Sequence, residues 1–266
     1  MLTNYHTHTN MCDGKNTAEE MVLSAIDKGF DAIGFSGHGY TDFDLSYCVK
    51  DMGSYISLIN GLKKKYKNKI QIYMGVEEDA GCYVNRADFD YIIGSSHYFN
   101  IDGQMYPIDC SVEYFEKGIQ MYNGDTIRLA HDYYSRFCEY ILRRKPDIVG
   151  HFDLITKYDE LGESRLLNNA DYIKLAEKYI IEALKSECIF EVNTGAISRG
   201  YRKNPYPQEN LLHIICKNGG KITLSSDCHD ANMLECQFAE TKAMLKDVGF
   251  THTYVLYDHK WIKDEI

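Results

Sequence analysis

The chain has 266 residues, 44% of them hydrophobic, and carries 39 acidic against 29 basic side chains for a formal net charge of -10. That length fills one large core, and no Pro/Gly/Ser-rich linker or low-complexity tract interrupts it, so a single domain over 1–266 is expected. A field of this sign repels polyanions, which excludes a long nucleic acid as the expected partner. Small anions stay open, because a local metal cluster outweighs a distant surface charge.

Short apolar runs of strand type alternate with longer helical patterns, the signature of βα units and a mostly parallel sheet. In chain order the predicted strands are Leu2–His6, Asp31–Ser36, Ile70–Val76, Tyr91–Ser95, Ile148–Phe152, Ile189–Asn193 and Ile222–Ser225, with a further run at Tyr254–Tyr257. The predicted helices are Ala18–Lys28, Tyr55–Tyr66, Ile127–Arg144, Tyr172–Lys185, Glu209–Lys217 and Cys236–Asp247. Thr17 and Glu20 form a T-x-x-E capping box at the first helix, and Gly29 stands at its C-terminal cap. Gly219-Gly220 closes the helix before the last core strand. Seven strands with intervening helices and no nucleotide-type glycine loop point to a closed or nearly closed α/β barrel, whose catalytic residues gather at the C-terminal strand ends.

The nine cysteines are an odd number with no C-x-x-C, and predict reduced thiols. No basic region followed by an apolar run opens the sequence, and no run of about 18 apolar residues occurs in it. Neither a signal peptide nor a membrane span is therefore expected, and the expected location is the cytoplasm.

The strand ends carry the chemistry. The first ends in His6-Thr7-His8, followed by Asp13-Gly14, and the second in Ser36-Gly37-His38. The third gives Glu77-Glu78-Asp79, the fourth Ser95-Ser96-His97, the fifth His151-Phe152-Asp153, and the seventh Asp227-Cys228-His229. The sixth, Glu191-Val192-Asn193-Thr194-Gly195, breaks the pattern. Residues i and i+2 of a strand share a face, so His6 and His8 converge on one ion, as do Asp227 and His229. Imidazole and carboxylate suit zinc, manganese or iron, and a set without thiolates argues against a purely structural zinc. A carboxylate such as Glu77 can bridge two ions. His131, His213, His252 and His259 read as ordinary polar groups, Asp153 as a helix cap, and Glu78 and Asp79 as solvated loop carboxylates.

His6-Thr7-His8-Thr9 with Cys12-Asp13-Gly14, the histidine after the second strand, the G-V-E, the G-S-S-H, the G-H-F-D and the final D-x-H resemble the PHP (polymerase and histidinol phosphatase) superfamily, in order from residue 6 to residue 229. Within it, Asp102–Asp109, the stretch from Asn193-Thr194-Gly195 to Arg199, and Tyr206-Pro207 resemble the monofunctional histidinol-phosphate phosphatases. Ser36-Gly37-His38-Gly39 and Gln104-Met105-Tyr106-Pro107 depart from the pattern of such relatives.

The resemblance implies a distorted (β/α)7 TIM-like barrel and two to three divalent metals, zinc, manganese or iron. On that pattern His6, His8, Glu77 and Asp227 hold the first, Glu77, His97 and His151 the second, and Asp13, His38 and His229 the third. It further implies metal-assisted hydrolysis of a small phosphate ester, with Glu77, Asp227 and Arg199 in catalytic roles and His38, Arg199 and Arg202 near the phosphate. Guanidinium forks match phosphate oxygens as lysine does not. L-histidinol phosphate is the expected substrate. A nucleotide, a sugar phosphate or a phosphotyrosine is the alternative, as is a non-catalytic metal-binding module. Binding of an amine is expected from the rim segments Asp102–Asp109 and Tyr201–Tyr206.

Overall fold

A computed structural model describes residues 1–161 and 165–266. The chain runs β1 (Thr3–Asn4), α1 (Ala18–Asp27), β2 (Ala32–Phe35), α2 (Met52–Tyr66), β3 (Gln71–Asp79) and β4 (Tyr91–Ser95). A hairpin of β5 (Tyr98–Ile101) and β6 (Gln104–Pro107) follows, then α3 (Val112–Met121) and α4 (Thr126–Arg144). Next come β7 (Ile148–Val149), α5 (Ala170–Leu184), β8 (Ile189–Asn193), a single turn α6 (Gly195–Ser198), α7 (Glu209–Lys217) and β9 (Lys221–Ser225). The helix α8 (Phe238–Val248) leads to the antiparallel pair β10 (His252–Tyr257) and β11 (Lys260–Glu265).

Local chemistry sets these boundaries. Thr17 accepts from the Glu20 N–H, and Glu20 accepts from the Thr17 N–H at 2.7 Å, so the capping box of α1 closes as expected. Gly29, with φ of 76°, takes the left-handed position just past the Lys28 cap. Helix α2 starts three residues before the predicted Tyr55, because the Asp51 carboxylate accepts from the Ser54 N–H at 3.0 Å. Lys145, with φ of 50°, stops α4 immediately before Pro146, which disfavours helical backbone at the residue it follows.

The seven strands β1, β2, β3, β4, β7, β8 and β9 form one sheet in that order, every neighbour parallel. Beyond their ends β1 and β9 meet: His8 N–H donates to Cys228 O at 2.8 Å and Cys228 N–H to His6 O at 2.9 Å. The sheet thereby curls into the near-closed α/β barrel. Helices α3, α4, α5, α7 and α8 bury their apolar faces against one arc of it, and α1 and α2 against the other.

The barrel interior is filled from below by tyrosines. Tyr5, Tyr73 and Tyr91 pack with Ile93, Ile148, Val255, Leu256 and Trp261. Tyr91 donates to Tyr5 O at 2.5 Å, and its ring occupies the space a Cβ would need at Gly34 and Gly75. Glycine at both positions is a packing requirement. Tyr254–Tyr257 is a strand, as expected, within β10, which among the described residues pairs only with β11 and plugs the barrel floor, with Tyr5 OH donating to Leu256 O at 2.7 Å. No helix among the described residues is long and apolar enough to cross a membrane.

Candidate metal centre

Every parallel strand presents its C-terminal end to the same rim, which is why residues far apart in sequence converge there. Glu77, near the end of β3, stands at the centre and divides the cluster by its two oxygens. Oε2 lies 3.1 Å from His6 Nε2, 3.5 Å from His8 Nε2 and 3.0 Å from His38 Nδ1. Oε1 lies 3.4 Å from His97 Nε2 and 2.9 Å from His151 Nε2, and accepts from the Ser95 hydroxyl at 2.6 Å. One carboxylate thus faces two groups of imidazoles, the arrangement of a bridging ligand.

Asp227 follows β9 with φ of 46°, a conformation that few side chains other than glycine adopt and that is stored where function over-determines it. Its Oδ1 lies 3.2 Å from His8 Nε2 and 3.5 Å from His6 Nε2. On the outer side Asp13 lies 3.2 Å from His229 Nε2, 3.6 Å from His38 Nε2 and 3.6 Å from His8 Nδ1. The rings of His8 and His229 stack at 4.1 Å.

All nine expected ligands fall into four overlapping groups, each with candidate ligand atoms within 4.8 Å of one another. These are His6, His8 and Asp227; His6, Glu77 and His151; His38, Glu77 and His97; and His8, Asp13, His38 and His229. His8 accordingly reaches the outer group as well as the inner one.

The donor set passes a chemical test for a cation. His6 Nε2, His8 Nε2, His38 Nδ1 and Glu77 Oε2 are buried without a hydrogen-bond partner among the described residues. Buried polar atoms are almost always satisfied, so four orphans within these groups fit metal ligation.

The electrostatics follow from mutual support against burial. Burial raises the carboxyl of Glu77, but His6, His38 and His97 outweigh it and hold the group well below the usual carboxylate range. Asp227 is held low in the same way, against burial, by Arg199 and His6, and Asp13 by His38 and His229. Burial pushes the imidazoles down, yet Glu191, Glu77 and Asp227 keep His6 well above its ordinary value, and Glu77 and Asp13 do so for His38. His97 is likewise pushed up to about 9, against burial, by Asp79 and Glu77. His8 is the exception: burial, then His229 and His38, push it down to about 3.

Two carboxylates that the sequence left outside the site, Glu191 and Asp79, stand behind its histidines, and a third, Glu78, is buried away from them. Glu191, on the strand that seemed to break the pattern, is completely buried. It sits 2.5 Å from His6 Nδ1, and accepts from the His151 N–H at 2.8 Å, from Asn193 Nδ2 at 2.9 Å and from the Ser225 hydroxyl. Asp79 is not a solvated loop residue: it accepts from the His97 N–H at 2.9 Å and faces His97 Nδ1 at 3.0 Å. Glu78 is buried too, and holds Arg144 through Nε at 2.8 Å and Nη2 at 2.7 Å. Carboxylates behind ligating histidines fix the tautomer and ring angle.

The structure separates the two candidate arginines. Arg199 caps α6 and lies on the rim, with Nη2 2.9 Å from Asp227 Oδ2 and Nη1 donating to Asp227 O at 2.9 Å. Arg202 is buried in a network of its own. It donates to Thr156 Oγ1 at 2.8 Å, pairs with Asp153 at 3.6 Å and Glu160 at 3.4 Å, and covers the Tyr206 ring at 4.5 Å. Asp153 makes no side-chain cap; it accepts from the Gln208 N–H at 3.0 Å and supports Arg202. His131, His213 and His259 are exposed, away from the cluster, as expected.

A cavity of about 200 Å³ opens on Asp13, His38 and His97, with Asp44, Tyr47, Tyr98, Asp109 and Lys157 among its other walls. The hairpin β5–β6 contributes Tyr98 and Pro107 to it. The turn of that hairpin is Asp102-Gly103, with φ of 51° and 84°. A D-G pair between alternating residues is a hairpin signal, and it was there to be read.

A metal-binding rim of this kind on a seven-stranded barrel agrees with comparisons to known proteins. The chain belongs to the PHP domain family, whose model matches residues 4–195. It is similar to a protein of Schizosaccharomyces pombe named probable histidinol-phosphatase, 26% identical over 272 residues that cover 92% of this chain and 86% of the relative. The solved structure of the Listeria monocytogenes protein hisK superposes with a TM-score of 0.77 at 21% identity, over 90% of this chain and 99% of that one. The histidinol phosphate phosphatase of Lactococcus lactis, solved with zinc, L-histidinol and phosphate, gives a TM-score of 0.74 at 21% identity, over 98% and 99%.

Proposed function

We propose that this chain is a metal-dependent phosphomonoesterase that hydrolyses L-histidinol phosphate to L-histidinol and phosphate. The observation that carries the reading is Glu77, whose two oxygens face separate imidazole groups, two of whose members, His38 and His97, line a cavity walled by carboxylates and tyrosines. Relatives named histidinol-phosphatase across most of the chain support the substrate.

Two to three ions of zinc, manganese or iron are proposed, held by His6, His8, Asp13, His38, Glu77, His97, His151, Asp227 and His229. When bound, they supply Lewis acidity at the phosphoryl oxygens and a water that ionises near neutral pH. Water adds to phosphorus, the phosphorus–oxygen ester bond breaks, and the alcohol leaves with a proton. The chain's own residues do the rest. Glu191 and Asp79 hold His6 and His97 in the orientation that leaves each Nε2 facing inward. Arg199 places a guanidinium fork at the rim, where charge on the phosphoryl oxygens grows in the transition state. Arg202, engaged with Asp153 and Glu160, is proposed to brace the loop that presents Arg199.

The test is a phosphate-release panel on the metal-loaded enzyme. For L-histidinol phosphate, kcat/KM is expected to exceed that for glycerol or sugar phosphates by about a hundredfold or more, because a site built for a polar group rejects a substrate lacking it. A nucleotide or sugar phosphate as best substrate would leave the phosphoesterase standing and remove the histidinol reading.

A further inference from the structure

The cavity beside the metal centre is lined by the expected ligands Asp13, His38 and His97, and also by Asp44, Asp109 and Lys157. The two carboxylates among these that are not expected ligands are not equivalent. Asp109 is neutralised by Lys157, whose Nζ lies 3.0 Å from its carboxylate and donates to its carbonyl at 2.8 Å. Asp44 has no ion pair among the described residues. It accepts only neutral donors: Ser46 N–H at 2.9 Å, Ser46 Oγ at 2.6 Å and Tyr98 OH at 3.0 Å.

Those donors preserve its charge. Against partial burial, the Ser46 hydroxyl and amide and the Tyr98 hydroxyl hold the Asp44 carboxyl below its ordinary value. The loop around it is preformed, with Thr41 Oγ1 donating to Asp44 O at 2.6 Å. It is also tied to the metal centre. Tyr47 OH donates to Asp79 at 3.0 Å, and Asp79 is the carboxylate that orients His97. The Tyr47 ring stands 4.7 Å from His38 on one side and 6.0 Å from Tyr98 on the other, so an aromatic wall runs from the metal ligands to Asp44.

An anion held in place without an ion pair, in a cavity that also opens on the expected metal ligands and separated from His38 by the Tyr47 and Tyr98 rings, is complementary to one kind of ester. We propose that Asp44 binds the ammonium group of the leaving alcohol, and that it selects aminoalkyl phosphates over esters of uncharged alcohols. This rests on the phosphomonoesterase reading above and adds the residue that sets specificity. It also moves amine recognition from the expected segments 102–109 and 201–206 to the loop after β2. Tyr206 there is buried beneath Arg202, and Tyr201 packs against Tyr158 with the Lys157 ammonium over its ring.

The experiment compares metal-loaded wild type and Asp44→Asn on L-histidinol phosphate, phosphoethanolamine and glycerol 3-phosphate, with metal content measured for both. The quantity read is the ratio of kcat/KM for each amine ester to that for glycerol 3-phosphate. Within one preparation this ratio does not depend on the fraction of active enzyme, so partial misfolding of the variant does not obscure it. The expected result is a fall in the ratio of about a hundredfold in Asp44→Asn, carried by KM, at unchanged metal content and unchanged glycerol 3-phosphate turnover. An unchanged ratio with wild type still preferring L-histidinol phosphate overturns the role of Asp44 alone. A wild type that prefers phosphoethanolamine, and loses that preference in Asp44→Asn, supports Asp44 and removes the histidinol reading. A wild type with no preference for either amine overturns both.

Discussion

Replacing Glu191 by glutamine separates metal binding from folding. The carboxylate has two ends: Oε1 faces His6 Nδ1 and the Ser225 hydroxyl, and Oε2 faces the His151 N–H and Asn193 Nδ2. A glutamine must put its amide nitrogen at one end. At the Oε2 end it would meet two donors that cannot turn into acceptors there, leaving buried groups unsatisfied at about 1–3 kcal/mol each. At the Oε1 end it meets a hydroxyl that rotates and an imidazole that changes tautomer, so this orientation is favoured. His6 then accepts at Nδ1 and carries its proton on Nε2, the atom that faces Glu77 and Asp227. Its inward lone pair is gone. Losing a carboxylate behind a ligating histidine costs about ten- to a hundredfold in metal affinity, or roughly 1.4–2.7 kcal/mol. Chelator-competition titration should show that loss for Glu191→Gln, while the melting temperature of the metal-free protein falls by only a few degrees. Wild-type metal affinity in a folded Glu191→Gln variant would refute the tautomer argument.

Arg199→Ala should lower phosphate-ester turnover by one to several orders of magnitude at normal metal content, measured by steady-state kinetics and elemental analysis. Its fork grips Asp227 Oδ2 and the backbone oxygen and lies 3.1 Å from His229 Nδ1, while Asp227 Oδ1 and His229 Nε2, the atoms that face the other ligands, make no contact with it. Arg144→Ala should destabilise the protein by about 3 kcal/mol, a melting shift of roughly 6–12 °C, because it leaves the Glu78 carboxylate buried with only Tyr140 and the Val84 N–H. That estimate takes the low end because the Arg144 side chain is 19% exposed. Metal uptake should release protons and tighten as pH rises from 7 toward 9. His97, pushed up to about 9, is charged at neutral pH in the metal-free protein and must lose its proton to ligate, whereas His8, at about 3, is already neutral. Calorimetric titration in buffers of different ionisation enthalpy measures the released protons, and none at pH 7 would contradict this.

The parts of the fold legible in the sequence are those that local patterns encode. The seven sheet strands announce themselves as apolar runs between helical periods, and the T-x-x-E box marks α1 to the residue. What escaped is decided by partners distant in the chain. Strand β11 is exposed on most of its length and exists because β10 offers it an edge, whereas α3 escaped although its amphipathic pattern and its Ser111 cap, which accepts from the Tyr114 N–H, are local signals. Glu78 reads in sequence as a solvated loop carboxylate, and the structure buries it. Its counter-ion, Arg144, arrives 66 residues later at the end of α4.

The same division runs through the candidate site. Ligands were legible because a parallel barrel sends every strand end to one rim, so a histidine at each end needs no knowledge of contacts to be suspected. The sixth strand seemed to break that rule by ending without one. Its inward residue instead serves the layer behind: Glu191 pairs in register with Thr223 of the seventh strand and reaches across to His6, 185 residues away. A carboxylate placed in the first layer would add negative charge to a centre that already holds Glu77, Asp227 and Asp13. Placed one layer back, it raises the basicity of His6 and fixes its tautomer while leaving the inward space to ions and phosphate. The departure from the pattern was therefore the signal. In a barrel where the other six strands end in candidate ligands, an acid on the sixth is most economically explained as their support, and asking what orients each histidine would name Glu191.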